Sequence, residues 1–98
     1  MKAAVLYDKL HVVVEDRLDP GEPAADEVQV RVRRVGLCGS DLKYYFSGGV
    51  SGAIRHPFVL GHEVAGEVAA VGEAVEGLAP GDLVTVEPGK PCWTCGQC

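Results

Sequence analysis

Gly61-His62-Glu63 and the run Val64 to Val71 that follows it form the stretch around which this 98-residue chain is organised. The run is rich in small apolar residues and is expected to be a β-strand, and Gly66 in its middle predicts a bend or a close approach of another backbone. Adjacent side chains on a regular strand point to opposite faces. His62 and Glu63 can therefore reach one metal ion only if the backbone bends, and Gly61 supplies the freedom for that bend.

A thiol upstream completes a candidate set of metal ligands. Cys38-Gly39-Ser40-Asp41 adds a cysteine to the histidine and the glutamate, and zinc prefers these three types of ligand. The alternatives are structural. Cys38 could be a buried thiol at a strand end, and the downstream pair a buried histidine beside a surface glutamate.

Asp41 and Ser40 bear on this choice without deciding it. Asp41 is well placed to accept the second ring proton of His62, as the partners of metal-bound histidines usually do. Ser40 follows the thiol closely enough for its hydroxyl to bond an oxygen held at the same metal. Asp41 is equally explained as a negative charge near a helix N-terminus, where the helix dipole stabilises it.

Three further cysteines, Cys92, Cys95 and Cys98, repeat a C-x-x-C spacing that lets one loop wrap a metal ion. Three thiolates leave a tetrahedral zinc one ligand short. We therefore expect the fourth ligand beyond Cys98, in a longer protein of which this chain is a fragment. An iron–sulfur run begins with the same spacing. In that run a proline follows the last cysteine, whereas here Pro91 precedes the first, so zinc is favoured over an iron–sulfur cluster. The repeated spacing favours a metal site over chance clustering of cysteines.

The composition is that of an ordinary globular domain, with 47% hydrophobic residues and a formal net charge of −5. The negative charge argues against a general nucleic-acid binder. No apolar run approaches the roughly 20 residues needed to span a bilayer. We expect a cytoplasmic protein without nucleic-acid or membrane partners, whose cysteines bind metal and do not form disulfides.

Most of the chain is predicted to form short strands. They are Ala3 to Tyr7, His11 to Val14, a run that starts at Glu27, Phe58 to Leu60, Val64 to Val71 and Leu83 to Val86. The turn Asp8-Lys9 is expected to join the first two. In the third strand, valines at positions 28, 30 and 32 alternate with polar residues, which predicts one buried face.

The remaining elements are a short helix and several loops. The helix is predicted over Asp41 to Phe46, with Gly39 or Ser40 as its N-cap and Gly48-Gly49 at its end. A flexible loop is expected over Ser51 to His56. Many short strands with glycine turns suggest a small barrel or sandwich.

The motifs together resemble the zinc-dependent medium-chain alcohol dehydrogenases over nearly the whole chain. The resemblance rests on Gly61-His62-Glu63-x-x-Gly66, Val71-Gly72-x-x-Val75, Pro80-Gly81-Asp82-x-Val84 and the cysteine loop, in this order. Cys38 to Tyr45, with the early Glu63, is most similar to the polyol and sugar-acid branch, the sorbitol and L-idonate 5-dehydrogenase type. Some polyol dehydrogenases lack the cysteine loop, so its presence favours the L-idonate-like or bacterial type.

The resemblance implies a GroES-like fold, a mainly β, partly open barrel with short helices, over residues 1–98 as the N-terminal part of a catalytic domain. In the family a Rossmann domain that binds NAD or NADP follows. No G-x-G-x-x-G motif occurs in this chain, so we expect it to contain no part of that domain and to be inactive alone. The complete protein is expected to be a homodimer or homotetramer.

The resemblance also implies roles at a catalytic zinc. Cys38 and His62 match two of its ligands. Glu63 matches the third ligand of the polyol branch, a place that a later cysteine takes in the simple-alcohol branch. Ser40 matches the hydroxyl that relays the substrate proton, and Tyr44 a pocket residue near the substrate.

Two further implications concern the cysteine loop and the proton path. Cys92, Cys95 and Cys98 match three of the four ligands of a structural zinc. Lys43 stands where many alcohol dehydrogenases have a histidine that passes the proton to solvent. A lysine relays protons poorly near neutral pH, so the expected outward path runs through water or the cofactor ribose.

The implied activity is oxidation of a secondary alcohol of a polyol or sugar acid to a ketone, with hydride transfer to NAD or NADP. Two alternatives come from other classes: a stand-alone GroES-like zinc-binding or interaction module, and an inactive truncated product. A further cysteine soon after Cys98, then G-x-G-x-x-G, would separate the dehydrogenase from both.

Overall fold

The structure, a computed structural model, describes residues 1–48, 56–89, 91–92 and 94–98. Within these residues the chain forms six strands and one helix, which confirms the prediction of a mainly β fold. The elements are β1 (Lys2–Asp8), β2 (His11–Asp16), β3 (Val28–Gly36), α1 (Gly39–Ser47), β4 (Phe58–Val59), β5 (Glu63–Val71) and β6 (Leu83–Thr85). No helix in this part of the chain has the length and apolarity to span a bilayer.

The strands form two antiparallel sheets, in the orders β2-β1-β4 and β3-β5-β6. The described residues do not close a barrel, in keeping with the partly open architecture that was expected. Residues of both sheets line a cleft of about 780 Å³. Among the described residues, the buried apolar side chains come from the central strands of the two sheets, and they are Ala3, Val5, Leu6 and Val68.

The turn between β1 and β2 lies one residue later than predicted. Asp8 pairs with His11, so Lys9 and Leu10 make the turn, and Leu10 adopts a φ of 60°. The Asp8 carboxylate accepts the Lys9 N–H, and the Leu10 N–H donates to the Tyr45 carbonyl at 2.8 Å. The turn is thus fixed against α1, a tertiary contact that local sequence does not reveal.

The predicted buried face of β3 is wrong in part. Val32 is 48% exposed, and the residues that follow it in β3, up to Gly36, are exposed as well. The register against β5 shifts between Gln29 and Val30 and again between Val32 and Arg34. Each shift breaks the strict alternation of faces, which is why a period-two pattern does not translate into one buried side.

Gly66 confirms the predicted close approach of two backbones. A Cβ atom at this position would lie 2.8 Å from Val30 Cγ1 and would also contact the Arg31 carbonyl oxygen on β3. The absence of a side chain therefore lets β5 pair closely with β3. This pairing joins the segment before Cys38 to the segment after His62.

The helix begins earlier than predicted, and its N-cap is Cys38 instead of Gly39 or Ser40. The Asp41 side chain causes this earlier start, because it reaches back to accept the Cys38 N–H at 3.0 Å. Gly48, in the left-handed conformation with φ 75°, ends the helix as predicted and donates its N–H to the Tyr44 carbonyl at 2.8 Å. Gly49 lies outside the described residues.

His56 ties the end of α1 to β1. It is the one described residue of the predicted loop over positions 51–56. Its Nδ1 lies 3.2 Å from the Leu6 carbonyl oxygen and its Nε2 lies 3.0 Å from the Gly48 carbonyl oxygen. A neutral imidazole has only one N–H, so only the protonated ring can donate to both. The pKa of His56 is raised by the hydrogen bonds to Gly48 and Leu6 and by the nearby Asp8 charge.

We predict that His56 makes folding stability depend on pH. Because its folded-state pKa lies above the unfolded value of about 6.5, its contribution is fully present below that value and is lost as pH rises through the folded pKa. His56→Gln keeps one donor but does not titrate. The free energy of unfolding, measured by denaturant titration, should fall more in the variant at pH 5.5 than at pH 8.5. An equal loss at both pH values would contradict the prediction.

Candidate functional site

The six cysteine, histidine and glutamate residues proposed as metal ligands lie in two clusters. The possible ligand atoms of Cys38, His62 and Glu63 all lie within 4.8 Å of one another. The sulfur atoms of the three later cysteines, at positions 92, 95 and 98, meet the same limit. A tetrahedral zinc with bonds of about 2.0–2.3 Å holds its ligand atoms roughly 3.3–3.8 Å from one another, which is within this limit. Both donor sets therefore fit a zinc ion in chemistry and spacing.

Three elements bring the first cluster together. Cys38 is the N-cap of α1 directly after β3, His62 lies in the connection between β4 and β5, and Glu63 is the first residue of β5. Gly61 adopts a φ of 101°, so the bend predicted before His62 is present. A Cβ atom at Gly61 would lie 2.7 Å from Val35 Cγ1, which leaves no room for a larger residue there.

The His62 ring is held between two polar groups. Its Nε2 lies 3.3 Å from the Ser40 hydroxyl, and its Nδ1 lies 3.5 Å from Asp41 Oδ1. The second distance is long for a hydrogen bond, so the Asp41 carboxylate acts on the ring mainly by its charge. Nε2 thereby faces the same side as Ser40 and is the nitrogen available to a metal ion.

Asp41 connects both sides of the site. Its side chain is buried, with a residue exposure of 2%, and it accepts the N–H groups of Cys38 at 3.0 Å and of Gly61 at 3.4 Å. The carboxylate thus stabilises the start of α1 and the bend before His62 while it faces the His62 ring. The sequence left open whether Asp41 is a charge at the helix N-terminus or a partner of His62. In the structure the carboxylate lies at both places at once.

The charges in the first cluster favour a cation. The pKa of the Cys38 thiol is lowered by hydrogen bonds from the Ser40 side chain and backbone and from His62, against the Glu63 charge. The pKa of His62 is raised, first by its hydrogen bond with Cys38 and then by the Asp41 charge. Both shifts favour a thiolate beside a positively charged neighbour, and a metal cation can supply that positive charge in place of the ring proton.

The second cluster is a loop of free, exposed cysteines. Cys98 Sγ lies 3.3 Å from Cys92 Sγ and 3.2 Å from Cys95 Sγ, and it accepts the Cys92 N–H at 3.3 Å. The Thr94 hydroxyl and backbone, then the other two thiols, lower the pKa of Cys92 to about 6. Cys92 is therefore largely thiolate at neutral pH, the form that binds metal. Three sulfurs leave one position of a tetrahedral site open.

Tyr44 and Lys43 are the other residues that the sequence analysis discussed near the substrate. Within the described residues, neither makes a hydrogen bond or an ion pair with Cys38, His62 or Glu63. The half-buried Tyr44 ring packs edge-on against Phe58 at a centroid distance of 6.0 Å. Its hydroxyl has no hydrogen-bond partner within the part of the chain that the structure describes. Lys43 is exposed.

Sequence reasoning missed two residues beside the site, Phe58 and Gly36. Phe58 is the packing partner of Tyr44. Gly36 lies directly opposite Glu63 in the β3–β5 register. Gly36 lies two residues before Cys38, and this proximity to a proposed ligand is the only signal that the sequence offers. Its pairing with Glu63 depends on the register between β3 and β5, which composition and periodicity do not reveal.

Comparisons with known proteins show the family to which the chain belongs. The family model for the alcohol dehydrogenase GroES-like domain matches residues 24–98. Sorbitol dehydrogenase from Bacillus subtilis (strain 168) is 46% identical over 99 residues, which take in 100% of this chain and 28% of the relative. The crystal structure of galactitol-1-phosphate dehydrogenase from Escherichia coli has a TM-score of 0.89 and 42% identity, covering 100% of this chain and 28% of that one.

A third comparison adds a structure with a cofactor. A crystal structure described as a short chain alcohol dehydrogenase from E. coli CFT073, in complex with NADH, has a TM-score of 0.82 and 37% identity over 100% of this chain and 27% of its own. The chain belongs to the alcohol dehydrogenase GroES-like domain family, and the GroES-like fold implied by its motifs is confirmed. It spans 28% of the length of the sorbitol dehydrogenase relative.

We predict that removing the Asp41 carboxylate destabilises the fold even without metal. Asp41→Ala leaves the Cys38 and Gly61 N–H groups without an acceptor, and an unsatisfied buried donor costs about 1–3 kcal/mol. Asp41→Asn keeps one acceptor oxygen and should lose less. Denaturant unfolding with a chelator present would measure both. A free energy of unfolding for Asp41→Ala equal to that of the wild type would contradict this role.

Proposed function

We propose that this chain is the zinc-binding, N-terminal part of the catalytic domain of an NAD- or NADP-dependent dehydrogenase. The complete enzyme would oxidise a secondary alcohol of a polyol or sugar acid to a ketone. The observation that carries the proposal is the cluster of Cys38, His62 and Glu63, whose ligand atoms lie within 4.8 Å of one another. A thiolate, an imidazole and a carboxylate leave one position of a tetrahedral zinc open for substrate.

A zinc ion held by these residues would supply Lewis acidity, which lowers the pKa of a substrate hydroxyl by several units. Cys38 and Glu63 would hold it as anions and His62 as a neutral ring through Nε2. The Asp41 carboxylate, 3.5 Å from His62 Nδ1, would then face the Nδ1–H of the ring and favour that tautomer and orientation, as carboxylates beside metal-bound histidines do.

Ser40 is our candidate for the residue that relays the substrate proton. Its hydroxyl lies 3.3 Å from His62 Nε2, and its side chain hydrogen-bonds to the Cys38 thiol. An oxygen atom at the open position between these ligands would therefore be within reach of Ser40 Oγ. Lys43 is exposed and poorly suited to carry the proton further, so the outward path runs through water or the cofactor ribose.

The hydride acceptor would be a nicotinamide bound outside these residues. The NADH complex of the alcohol dehydrogenase relative supports this class of cofactor. The cysteine loop would hold a separate, structural zinc through Cys92, Cys95 and Cys98, with a fourth ligand from elsewhere in the protein. Bound metal there adds directly to the free energy of folding.

Glu63 and the residues beside the cluster set the proposed substrate class. A carboxylate is a harder ligand than the thiolate of simple-alcohol enzymes, and the names of the sorbitol and galactitol-1-phosphate relatives support a polyol. Lys43 carries a positive charge at the exposed side of α1, where it can pair with the carboxylate of a sugar acid such as idonate. Tyr44 would line the pocket through its ring, packed on Phe58.

We predict that the full-length protein oxidises sorbitol, xylitol or idonate much faster than ethanol. Glu63→Gln should lower the zinc affinity of the first cluster, because a neutral amide binds the cation less strongly than a charged carboxylate does. The cysteine loop should keep its zinc. Cys92→Ser is the reciprocal control and should lose the other zinc. Steady-state kinetics and elemental analysis test both parts. Preferential ethanol oxidation, or a Glu63→Gln enzyme with full zinc and full rate, would overturn the proposal.

Ser40→Ala should lower turnover of the full-length enzyme by about 10²–10⁴, the range for loss of a general acid–base group. Zinc content should stay unchanged, since Ser40 is not proposed as a ligand. Ser47→Ala, a serine at the other end of α1, is the matched control and should keep its turnover. Near-wild-type turnover of Ser40→Ala with both substrates saturating would remove Ser40 from the proton path.

A further inference from the structure

We infer that Gly36 is a positioning residue for the Glu63 carboxylate. The missing side chain of Gly36 leaves the space in which that carboxylate lies beside Cys38 and His62. The inference rests on the proposed function, in which these three ligands hold one zinc ion.

The first observation is the close contact between Gly36 and Glu63. The two residues face each other directly across the β3–β5 ladder. A Cβ atom built on Gly36 would lie 2.8 Å from Glu63 Oε2, 3.1 Å from Glu63 Cβ and 3.4 Å from the Glu63 carbonyl oxygen. The Glu63 side chain therefore folds over Gly36, and its carboxylate occupies the volume that any larger residue at position 36 would fill.

The second observation is that little else holds the Glu63 side chain in place. Across residues 1–48, 56–89, 91–92 and 94–98, its carboxylate has no hydrogen bond and no ion pair. The side chain is exposed, so solvent offers it other rotamers. The space above Gly36 thus decides whether the carboxylate lies within the 4.8 Å cluster with Cys38 and His62.

The third observation separates this steric role from a backbone role. Gly36 is not among the described glycines with positive φ, whereas Gly61 is. An alanine at position 36 is therefore compatible with the strand conformation. The tightest new contact would be with the end of a flexible side chain, so the carboxylate, more than the strand, would give way.

The experiment compares zinc affinity at the first cluster in the full-length protein. Gly36→Ala is the test variant. Gly39→Ala is the matched control, because a Cβ atom at Gly39 meets nothing within 4 Å and its φ is not positive. Zinc binding would be measured by competition with a chelator, and Co²⁺ absorption bands would distinguish the one-cysteine cluster from the three-cysteine loop.

Gly36→Ala should weaken zinc at the first cluster by about 10–100-fold, the usual effect of disturbing a residue that orients a metal ligand. Gly39→Ala should bind as the wild type does, and the cysteine loop should stay filled in both. In a Glu63→Ala background, adding Gly36→Ala should cause no further loss. Wild-type affinity in Gly36→Ala, or an equal loss in the Glu63→Ala background, would overturn the inference.

Two controls keep the result decisive. A wild-type protein that binds no metal at the first cluster would refute the proposed function, and this inference with it, whereas normal wild-type binding with an unaffected Gly36→Ala refutes the inference alone. Should Gly36→Ala fail to fold, the double variant with Glu63→Gly removes both the carboxylate and the Cβ atom that the new methyl group meets. That double variant must then fold, and one that stays unfolded would contradict the steric argument.

Discussion

The buried carboxylate of Asp41 is the interaction on which the arrangement of the site depends. It accepts N–H groups from Cys38 and from Gly61, which lies 20 residues after Asp41 in the chain, and it faces the His62 ring. Burying a charged carboxylate is costly unless hydrogen bonds satisfy it. The helix start and the bend before β5 must therefore stay together, and the proposed ligands Cys38 and His62 stay together with them.

The β3–β5 ladder supplies the second constraint. Gly66 lets the two backbones pair closely, and the register that follows sets Gly36 opposite Glu63 at the end of the ladder. The third proposed ligand is thus placed by sheet geometry, whereas the other two are placed by the hydrogen bonds of Asp41. The site lies where the N-terminus of α1, the bend at Gly61 and the start of β5 meet.

Much of this architecture could be predicted from the sequence, because strands, helix and ligand types are local properties. The strand from Val64 to Val71, the end of the helix at Gly48 and the bend at Gly61 agree with their patterns. What failed depends on tertiary contacts. The turn at Leu10 is held by α1, and the exposure of Val32 follows from register shifts. Gly36 was missed for the same reason, since its neighbour is 27 positions away along the chain, at the facing strand.

We propose that Cys38, His62 and Glu63 hold one zinc ion and that the three later cysteines hold another. Anomalous diffraction at the zinc edge, on crystals of the full-length protein, would locate both ions. We expect a zinc peak about 2.0–2.3 Å from Cys38 Sγ, His62 Nε2 and a Glu63 carboxylate oxygen, and a second peak among the cysteine sulfurs. A filled cysteine loop with no peak at the first cluster, or a first peak with Glu63 turned away from it, would refute this assignment of ligands.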